Sequence, residues 1–436
     1  MDLMTGLGFW DSEAGRLIRW RARYARRRRL LLEGEPLRHG SRRERRHRPT
    51  DFARGVEQLR QLRHGVLTGP VALDLDFHMT AEQPPQLQHL AKRYLDLLGA
   101  APPNTPPGSR RHLLYRDDRQ VRLLHVRAWQ PLDDGPEPGT GHTAVVAWPL
   151  RDVLAALEVA VSLRDHAVWD DADSPFHVPD LPEVDLSPTF NVRLATAPAQ
   201  VQRWTDLNVW LRLHGQSQMQ EALLGTADAL IASVLCRSRG LLDPNRHRAG
   251  VASKRLDALF ADIVASDRAT LLSHPLHIPL PALPTAHGER ASFRTGLREQ
   301  LQRWRARWPV FTPLLVPVKA TLLAVTPPHG KDLDNLVRDD VLPTVHEVLA
   351  PQPAPWLTRF PQLTLNEQAT WRPQHRRLKQ LQQNSVTAYE VIQITRDPAD
   401  QDAGVLRLAL GNATSSGSTW ARIAGFVETH IEQLRL

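Results

Sequence analysis

The chain has 436 residues and a formal net charge of +8, from 55 lysines and arginines against 47 acidic residues. This length predicts several domains, and the positive excess favours a polyanionic partner such as nucleic acid. A single cysteine, Cys236, and the lack of any membrane-length apolar run exclude a disulfide framework, a cysteine-rich zinc site and a membrane span, so a cytoplasmic protein with no membrane partner is expected.

Residues 1–50 are predicted to form an arginine-rich N-terminal arm. Clustered arginines beside aromatic side chains favour sequence-independent contacts with nucleic-acid phosphates, and a solubilising, partly disordered arm is the alternative. The candidate nucleic-acid contacts are Arg26, Arg27, Arg28, Arg29, Arg42, Arg43, Arg45 and Arg46.

Residues 51–164 show the alternating pattern of an α/β domain. Apolar periodicity predicts helices over 52–62, 86–98 and 150–161 and strands over 70–77, 121–128 and 142–148. In the first of these strands, Asp74 and Asp76 share one face, which is expected to be solvated, and the apolar side chains share the other.

Residues 165–275 match neither flanking domain. An acidic, proline-rich segment is followed by helical patterns over 198–213, 218–241 and 254–273. We expect a helical linker that holds the flanking domains at a fixed distance, and we assign it no chemical role.

Residues 276–436 repeat the order of the first domain. Strands are predicted over 316–325, 386–395 and 405–410 and a closing helix over 419–434, and residues 293–297 echo residues 52–56. This order predicts an internal duplication of a whole domain. The expected fold class is therefore α/β (α+β), with two tandem domains packed as a pseudo-dimer and joined by the helical insert.

The most informative motif of the second domain is Asp332-Leu333-Asp334-Asn335-Leu336, at a corner between a predicted strand and a predicted helix. Two carboxylates one residue apart at such a corner can hold Mg²⁺ or Mn²⁺. Asp334 or Asn335 can instead cap the helix N-terminus, which is the purely structural interpretation. A cation, Arg338, follows one helical turn later.

Together with Arg338, this motif resembles that of the RusA-type Holliday junction resolvases. The resemblance implies Mg²⁺-dependent hydrolysis of phosphodiester bonds in branched or junction DNA. It also implies a lysine where Arg338 stands and a second acidic pair just before a later strand. Arg338 keeps the charge of that lysine but not its compact ammonium group.

The two domains lack complementary parts of this pattern. The first domain has Gln86 and Gln88 in place of the two aspartates but keeps Lys92 and the pair Asp117-Asp118. The second domain keeps both aspartates and has Gln382-Gln383 in place of the acidic pair. Glutamine fills the space of a carboxylate without binding a divalent ion strongly.

We expect the surviving groups to meet in one composite site between the two domains. The expected metal ligands are Asp332, Asp334 and Asp118, with Asp117 as a further candidate. Arg338 and Lys92 would neutralise the scissile phosphate or its neighbour, although both also fit solvated helix cations. The expected function is that of a Mg²⁺- or Mn²⁺-dependent endonuclease.

Three alternatives stay open. The protein can be a catalytically decayed module that binds branched DNA without cutting it. Its site can come from the second domain alone, completed by Asp340 or Glu347. It can also be the nuclease subunit of a larger assembly. One composite site per chain predicts single nicks, unless a homodimer or another protein partner supplies the second cut.

Overall fold

The structure is a computed structural model, and it describes residues 12–36, 42–80, 86–99, 111–129, 141–163, 174–182, 198–242, 255–256, 258–259, 277–282, 284, 288–326, 333–351, 376–395, 405–414 and 417–431. Its helices are α1 (Glu13–Tyr24), α2 (Arg42–Gln61), α3 (Leu87–Gly99), α4 (Leu150–Leu163), α5 (Pro198–Arg237), α6 (Arg239–Leu242), α7 (Glu289–Arg307), α8 (Leu333–Leu336), α9 (Leu342–Leu349) and α10 (Thr419–Ile431). Its strands are β1 (Arg28–Glu33), β2 (Val71–His78), β3 (Val121–Trp129), β4 (His142–Pro149), β5 (His277–Pro279), β6 (Val318–Thr326), β7 (Val386–Thr395) and β8 (Val405–Asn412).

The eight strands of the described residues join one mixed sheet in the order β1-β4-β2-β3-β7-β6-β8-β5. At its centre, β3 and β7 are antiparallel, with Leu123 opposite Ile392 and Arg127 opposite Ala388. Backbone hydrogen bonds therefore join the two domains that the sequence predicts. The α/β class, with a mixed sheet and flanking helices, is confirmed.

The two halves of the sheet have the same strand order and directions. In the first half β2 is parallel to β3 and antiparallel to β4, which also pairs with β1. In the second half β6 is parallel to β7 and antiparallel to β8, which also pairs with β5. Each parallel pair even has a register shift after the first residue of its first strand, Val71 in one half and Val318 in the other. The strand topology of the first half thus recurs in the second.

Side chains alternate between the two faces of the sheet and supply two hydrophobic cores. One face, which includes Leu73 and Tyr389, is covered by α2, α3, α7, α8 and α9. The other face, which includes Leu123 and Ile392, is covered by α1, α4, α5 and α10. Central strands covered on both faces are expected to be apolar throughout, so the charged side chains in them need specific partners.

Several charged side chains lie buried beneath α5 and α10. Asp74 is 4% exposed, and its Oδ1 lies 3.8 Å from Nδ1 of His125. The ammonium of Lys319 lies 2.7 Å from a carboxylate oxygen of Asp228, on α5, and 3.6 Å from one of Glu390. The expectation of a solvated Asp74 is wrong, because distant helices cover this face of the sheet.

The long helix α5 fastens the insert to the rest of the molecule. It packs against β8, α4 and α10. The buried Gln220 donates from Nε2 to the carbonyls of Val310 (2.7 Å) and Pro313 (2.9 Å), and its Oε1 accepts from the amide of Leu315 (2.8 Å). Of the described residues, Leu211–Arg237 is long and apolar enough to cross a membrane, and 72% of its most apolar window is buried inside the protein.

Residues 13–33 are part of the fold rather than a detached arm. Helix α1 buries Leu17 and Trp20 in the second core. Strand β1 pairs with β4 along its whole length, with Leu30 and Leu32 buried and Leu31 exposed between them. The structure therefore extends the first half of the sheet towards the N-terminus.

Candidate functional site

Strand directions bring the two acidic parts of the sequence to the same end of the sheet. Strand β6 runs parallel to β7, with Thr326 opposite Thr395 at their ends. Strand β3 runs antiparallel to β7, so it begins where β6 and β7 end. Val121 and Thr326 consequently lie at the same end of the sheet. We call this the acidic end, defined by Asp117, Asp118 and Asp334.

Asp117 and Asp118 lie in a short 3₁₀ turn, Asp118–Gln120, that leads into β3. The Asp117 side chain accepts a hydrogen bond from the amide of Arg119 at 2.9 Å, and this bond lowers the pKa of Asp117. The Gln120 side chain accepts from the Asp117 amide in return, which completes a capping box. The capping box therefore holds the Asp117 carboxylate at the start of the strand, and Asp118 follows it in the same turn.

Asp334 lies in the first turn of α8 and is 8% exposed. Its Oδ2 accepts from Nε of Arg338 at 2.8 Å, and its Oδ1 accepts from the hydroxyl of Tyr389 at 2.8 Å. Arg338 also donates to the side chain of Asn335. Arg338 is therefore an internal partner of Asp334 in this structure, whereas the sequence placed it against a phosphate.

A π-helical turn, Val337–Val341, follows Asp334 and connects α8 to α9. Pro343 has no amide hydrogen to donate to the carbonyl of Asp339, and that carbonyl accepts from Arg294 at 3.1 Å instead. Such turns recur at functional sites because they change the direction of helical side chains. Here the turn contains Arg338.

Four carboxylates act together on one buried hydroxyl group, that of Tyr115. This hydroxyl donates to the carbonyl of Leu95 on α3 at 2.9 Å. Burial raises the pKa of Tyr115, and the negative charges of nearby acidic side chains raise it further. In decreasing order of effect these side chains are Asp118, Asp96, Asp334 and Asp117. Asp118 and Asp334, from different halves of the sheet, thus both raise the pKa of the same tyrosine.

Lys92 lies beside one of these four carboxylates. Its ammonium is 3.1 Å from Oδ1 of Asp96, one turn further along α3. Contacts between α3 and the π-helical turn bring elements of the two halves together on this face of the sheet. Lys92 is therefore a partly exposed cation at the border of the acidic group.

Neither Asp340 nor Glu347 completes a site within the second half. Asp340 is fully buried and forms ion pairs with Arg290, at 2.6 Å, and with Arg294. Glu347 is paired with Arg298 at 2.7 Å. Both carboxylates fasten the π-helical turn and α9 to α7, because the arginines of α7 face them.

The acidic residues fit a divalent cation in the chemistry of their donors. Carboxylate oxygens are preferred ligands of Mg²⁺ and Mn²⁺. Among the described residues, no group of three His, Cys, Asp or Glu side chains is arranged to hold a metal ion. Asp332, the remaining expected ligand, lies outside the described residues.

The opposite end of the sheet carries glutamines. Val121 and Val386 begin equivalent strands and pair with the equivalent residues Val71 and Val318. Asp117-Asp118 precede Val121 by the same number of residues as Gln382-Gln383 precede Val386. The two pairs therefore occupy equivalent positions in the two halves. Near the end of β2, the Gln88 amide donates to the Gln86 side chain at 2.8 Å. We call this the glutamine end, defined by Gln86, Gln88, Gln382 and Gln383.

The arginines proposed to contact nucleic acid have different environments. Arg26 forms an ion pair with Asp152 at 3.1 Å and remains partly exposed. Arg27 stacks on Tyr24, with its guanidinium carbon 2.9 Å from the ring centre, and burial lowers its pKa to about 9. Arg28 and Arg29 begin β1, and Arg29 is exposed. The side chains of Arg42, Arg43, Arg45 and Arg46 lie outside the described residues.

Sequence reasoning missed the two tyrosines of this site. Tyr115 and Tyr389 both have their hydroxyl groups buried near the carboxylates. The signal available in the sequence was only that Tyr115 comes shortly before Asp117 and that Tyr389 alternates with inward-facing residues of a strand. Comparison with protein-family models, with curated proteins and with solved structures finds no match to this chain.

Proposed function

We propose that this chain is a divalent-metal-dependent endonuclease that acts on branched or junction DNA, with one composite site per chain. The observation that carries this proposal is that β3, which begins just after Asp117-Asp118, starts at the end of the sheet where β6 ends, before α8 with Asp334. Asp118 and Asp334 both raise the pKa of the buried Tyr115. These residues come from opposite halves of the chain, and each half has glutamines where the other has carboxylates. The likeness of the motif to that of the junction resolvases supplies the reaction class.

The same proposal includes an internal duplication. Two features support it: the identical order and direction of strands in the two halves, and the matching register shifts at Val71 and Val318. A duplicated dimeric ancestor would have had two equivalent composite sites, one at each end of the sheet. In this chain the acidic end keeps one of them, and the glutamine end has lost the metal-binding groups of the other.

Asp332, Asp334 and Asp118 would hold the metal ion, with Asp117 as a further ligand. A bound Mg²⁺ or Mn²⁺ supplies an activated water and stabilises the leaving oxygen. Tyr389 and Arg338 orient the Asp334 carboxylate, as outer hydrogen bonds do for other metal ligands. The capping box at Asp117 holds the turn that presents Asp118. Lys92, which is paired with Asp96 at 3.1 Å, would be the cation that meets a phosphate.

One composite site cuts one strand in each encounter. Paired cuts across a junction therefore require two chains or a second encounter. Arg338 stands where the junction resolvases have a lysine. Its planar guanidinium donates hydrogen bonds to Asp334 and Asn335. We assign Arg338 to positioning and leave phosphate neutralisation to Lys92.

Cleavage of a labelled four-way DNA junction in Mg²⁺ tests this function. We expect Asp118→Asn and Asp334→Asn each to reduce the cutting rate at least about 100-fold, because loss of even an outer partner of a metal ligand costs up to that amount. Junction binding, measured in chelator, should persist. The matched control is Gln383→Asn, which changes the position equivalent to Asp118 at the glutamine end and should leave cutting unchanged.

A catalytically decayed DNA-binding protein is the second candidate. It is favoured by the hydrogen bonds that occupy Asp334 and by the lack, among the described residues, of a three-ligand metal group. Junction binding without cutting by the unaltered protein, in Mg²⁺ and in Mn²⁺, would decide for this candidate. Cutting only after addition of another protein would identify a subunit of a larger assembly.

A further inference from the structure

A large basic cleft opens beside the acidic end of the sheet. It has a volume of about 970 Å³, and its walls include Gly69 before β2 and Pro149 at the end of β4. The Gln120 side chain, in the same turn as Asp118, donates to the carbonyl of Gly69 at 2.8 Å and to that of Leu67 at 3.2 Å. The turn that carries Asp118 is thus bonded directly to one wall of the cleft.

The charges that line the cleft are almost entirely positive. Among the described residues of the lining, one is acidic, Glu158. Against this one carboxylate stand seven arginines: Arg23, Arg26, Arg28, Arg151, Arg237, Arg239 and Arg255. A recess lined by one sign of charge, between walls of low dielectric constant, concentrates the electric field and attracts ions of the opposite sign.

These arginines come from separate parts of the chain. Arg23, Arg26 and Arg28 belong to the N-terminal region, and Arg151 lies in the first turn of α4. The remaining three belong to the helical insert: Arg237 ends α5, Arg239 begins α6, and Arg255 lies just beyond. The insert therefore forms one wall of the cleft, which gives a role to a segment that sequence analysis left without one.

Several of the arginines are held in place by the fold. Arg26 is paired with the buried Asp152 at 3.1 Å, and Arg239 donates to the carbonyl of Cys236 at 3.0 Å. Arg237 and Arg255 are exposed at the surface of the cleft. A ligand that enters the cleft therefore meets a partly preorganised group of guanidinium donors, which lowers the entropic cost of binding.

The lining selects among anionic ligands. Guanidinium groups match the geometry of phosphate oxygens. The described residues of the lining include no aromatic side chain on which a base would stack, so the contacts are with the backbone. The volume is at the upper end of the range for ligand pockets, which suits a short length of one strand rather than a whole duplex.

We propose that this cleft binds the phosphodiester backbone of a single nucleic-acid strand that adjoins the composite acidic site. That the bound strand is one the composite site would cut rests on the proposed function. Binding of the strand in the cleft does not rest on it, because binding requires neither the metal nor cleavage. Arg237 and Arg255 of the insert are the residues whose contribution is easiest to measure, since both are exposed.

Fluorescence anisotropy of labelled poly(dT), in the presence of a chelator and over a range of salt concentrations, tests the proposal. We expect Arg237→Gln/Arg255→Gln to weaken binding roughly tenfold or more, as charged hydrogen bonds to phosphate are lost. The slope of log K against log salt should become shallower by about 1.4, since each phosphate contact to a single strand contributes about 0.7. The matched control, Arg303→Gln/Arg307→Gln, removes the same charge from α7 and should change neither quantity to this extent.

The variant Glu158→Gln is an independent test that leaves every arginine of the cleft in place. It should strengthen poly(dT) binding, because it removes the opposing charge from the lining. Equal binding by the unaltered protein and both cleft variants would overturn the proposal, as would equal loss in the α7 control. Competition by polyglutamate or by anionic lipid vesicles as effective as that by unlabelled poly(dT) would also overturn it. The failure of this proposal can be distinguished from failure of the proposed function. If Asp118→Asn loses junction cutting but still binds poly(dT), the proposal that the cleft binds a strand is unaffected.

Discussion

His125 of β3 lies directly opposite Glu390 of β7, and the central pairing is symmetric about these two residues. Leu124 faces Val391 on one side of the pair, and Val126 faces Tyr389 on the other. The two halves of the sheet are therefore related as by a two-fold axis at this pair. Yet the symmetric positions carry an imidazole in one half and a carboxylate in the other, so the centre of the sheet is chemically asymmetric.

His125 makes the stability of the protein sensitive to acid. Burial lowers the pKa of His125 to about 3, whereas an unfolded histidine titrates near 6.5. Between these values the unfolded chain binds a proton that the native state does not. This group therefore contributes stability that is complete above about pH 6.5 and is lost at about 1.4 kcal/mol per pH unit as the pH falls towards 3. We expect His125→Gln to flatten this slope in urea unfolding experiments.

The neighbouring Asp74 has the opposite effect on stability. Burial raises the pKa of Asp74, so its contribution is complete below its unfolded pKa and is lost as the pH rises through the folded one. The 3.8 Å contact between the two side chains is consequently one between a neutral imidazole and a carboxyl group that is readily protonated. If unaltered protein and His125→Gln lose stability in parallel between about pH 6.5 and 4, the assignment to His125 is wrong.

Lys319 holds together the insert and the sheet. It is 2% exposed and neutralises Asp228 of α5 and Glu390 of β7. Replacement by methionine keeps most of the volume but leaves Glu390 buried without this cation and leaves Asp228 with the more distant guanidinium of Arg422, at 3.9 Å. We expect Lys319→Met to lower the free energy of unfolding by about 3–5 kcal/mol. Arg303→Met, which breaks the exposed pair with Glu299, should change it by less than about 1 kcal/mol; similar losses in both variants would contradict this account.

Tyr389 is expected to tune the metal affinity of the proposed site. Tyr389→Phe removes the hydroxyl that donates to Asp334 and should raise the Mg²⁺ concentration needed for half-maximal junction cutting by about 10–100-fold. Tyr24→Phe is the matched control, because Tyr24 lies on α1 and packs against the second core. An unchanged Mg²⁺ dependence in Tyr389→Phe would remove Tyr389 from the site.

Asp340 distinguishes a structural carboxylate from a metal ligand. Asp340→Asn leaves Arg290 and Arg294 without their buried anion, and we expect it to lower the melting temperature through a loss of about 1–3 kcal/mol. The rate of junction cutting by the folded protein should stay close to that of the unaltered chain. A loss of cutting equal to that of Asp334→Asn would instead support a site formed within the second half.

Much of the fold was predictable from local patterns. The strands and helices of both halves agree closely with the predictions, because apolar periodicity reports burial on one or both faces. Strands β1 and β5 were missed. Arginines flank the Leu30-Leu31-Leu32 run of β1 and hide its alternation, and β5 has only three residues. Helix α5 was divided in the prediction at Gly215, although a single glycine in a helix is tolerated when tertiary packing stabilises it.

The site was predictable only in part. The spacing of Asp332 and Asp334 and the pair Asp117-Asp118 could be read directly from the chain. The engagement of Arg338 with Asp334 depends on the helical geometry after the corner, and the π-helical turn follows from Pro343 together with Arg294 on a distant helix. The burial of Asp74 involves residues far along the chain, among them Ser418, which precedes α10. Such long-range contacts leave no periodic signal.

The hydrogen-bonded junction between β3 and β7 has a consequence for the halves made as separate polypeptides. Each fragment would expose one of these strands as an open edge and tend to self-associate through it. A pair of first-half fragments would combine Gln86 and Gln88 with Asp117-Asp118, and a pair of second-half fragments would combine Asp332 and Asp334 with Gln382-Gln383. Neither assembly would carry a full acidic set, whereas mixing the two fragments would regenerate it, which is the behaviour known as fragment complementation.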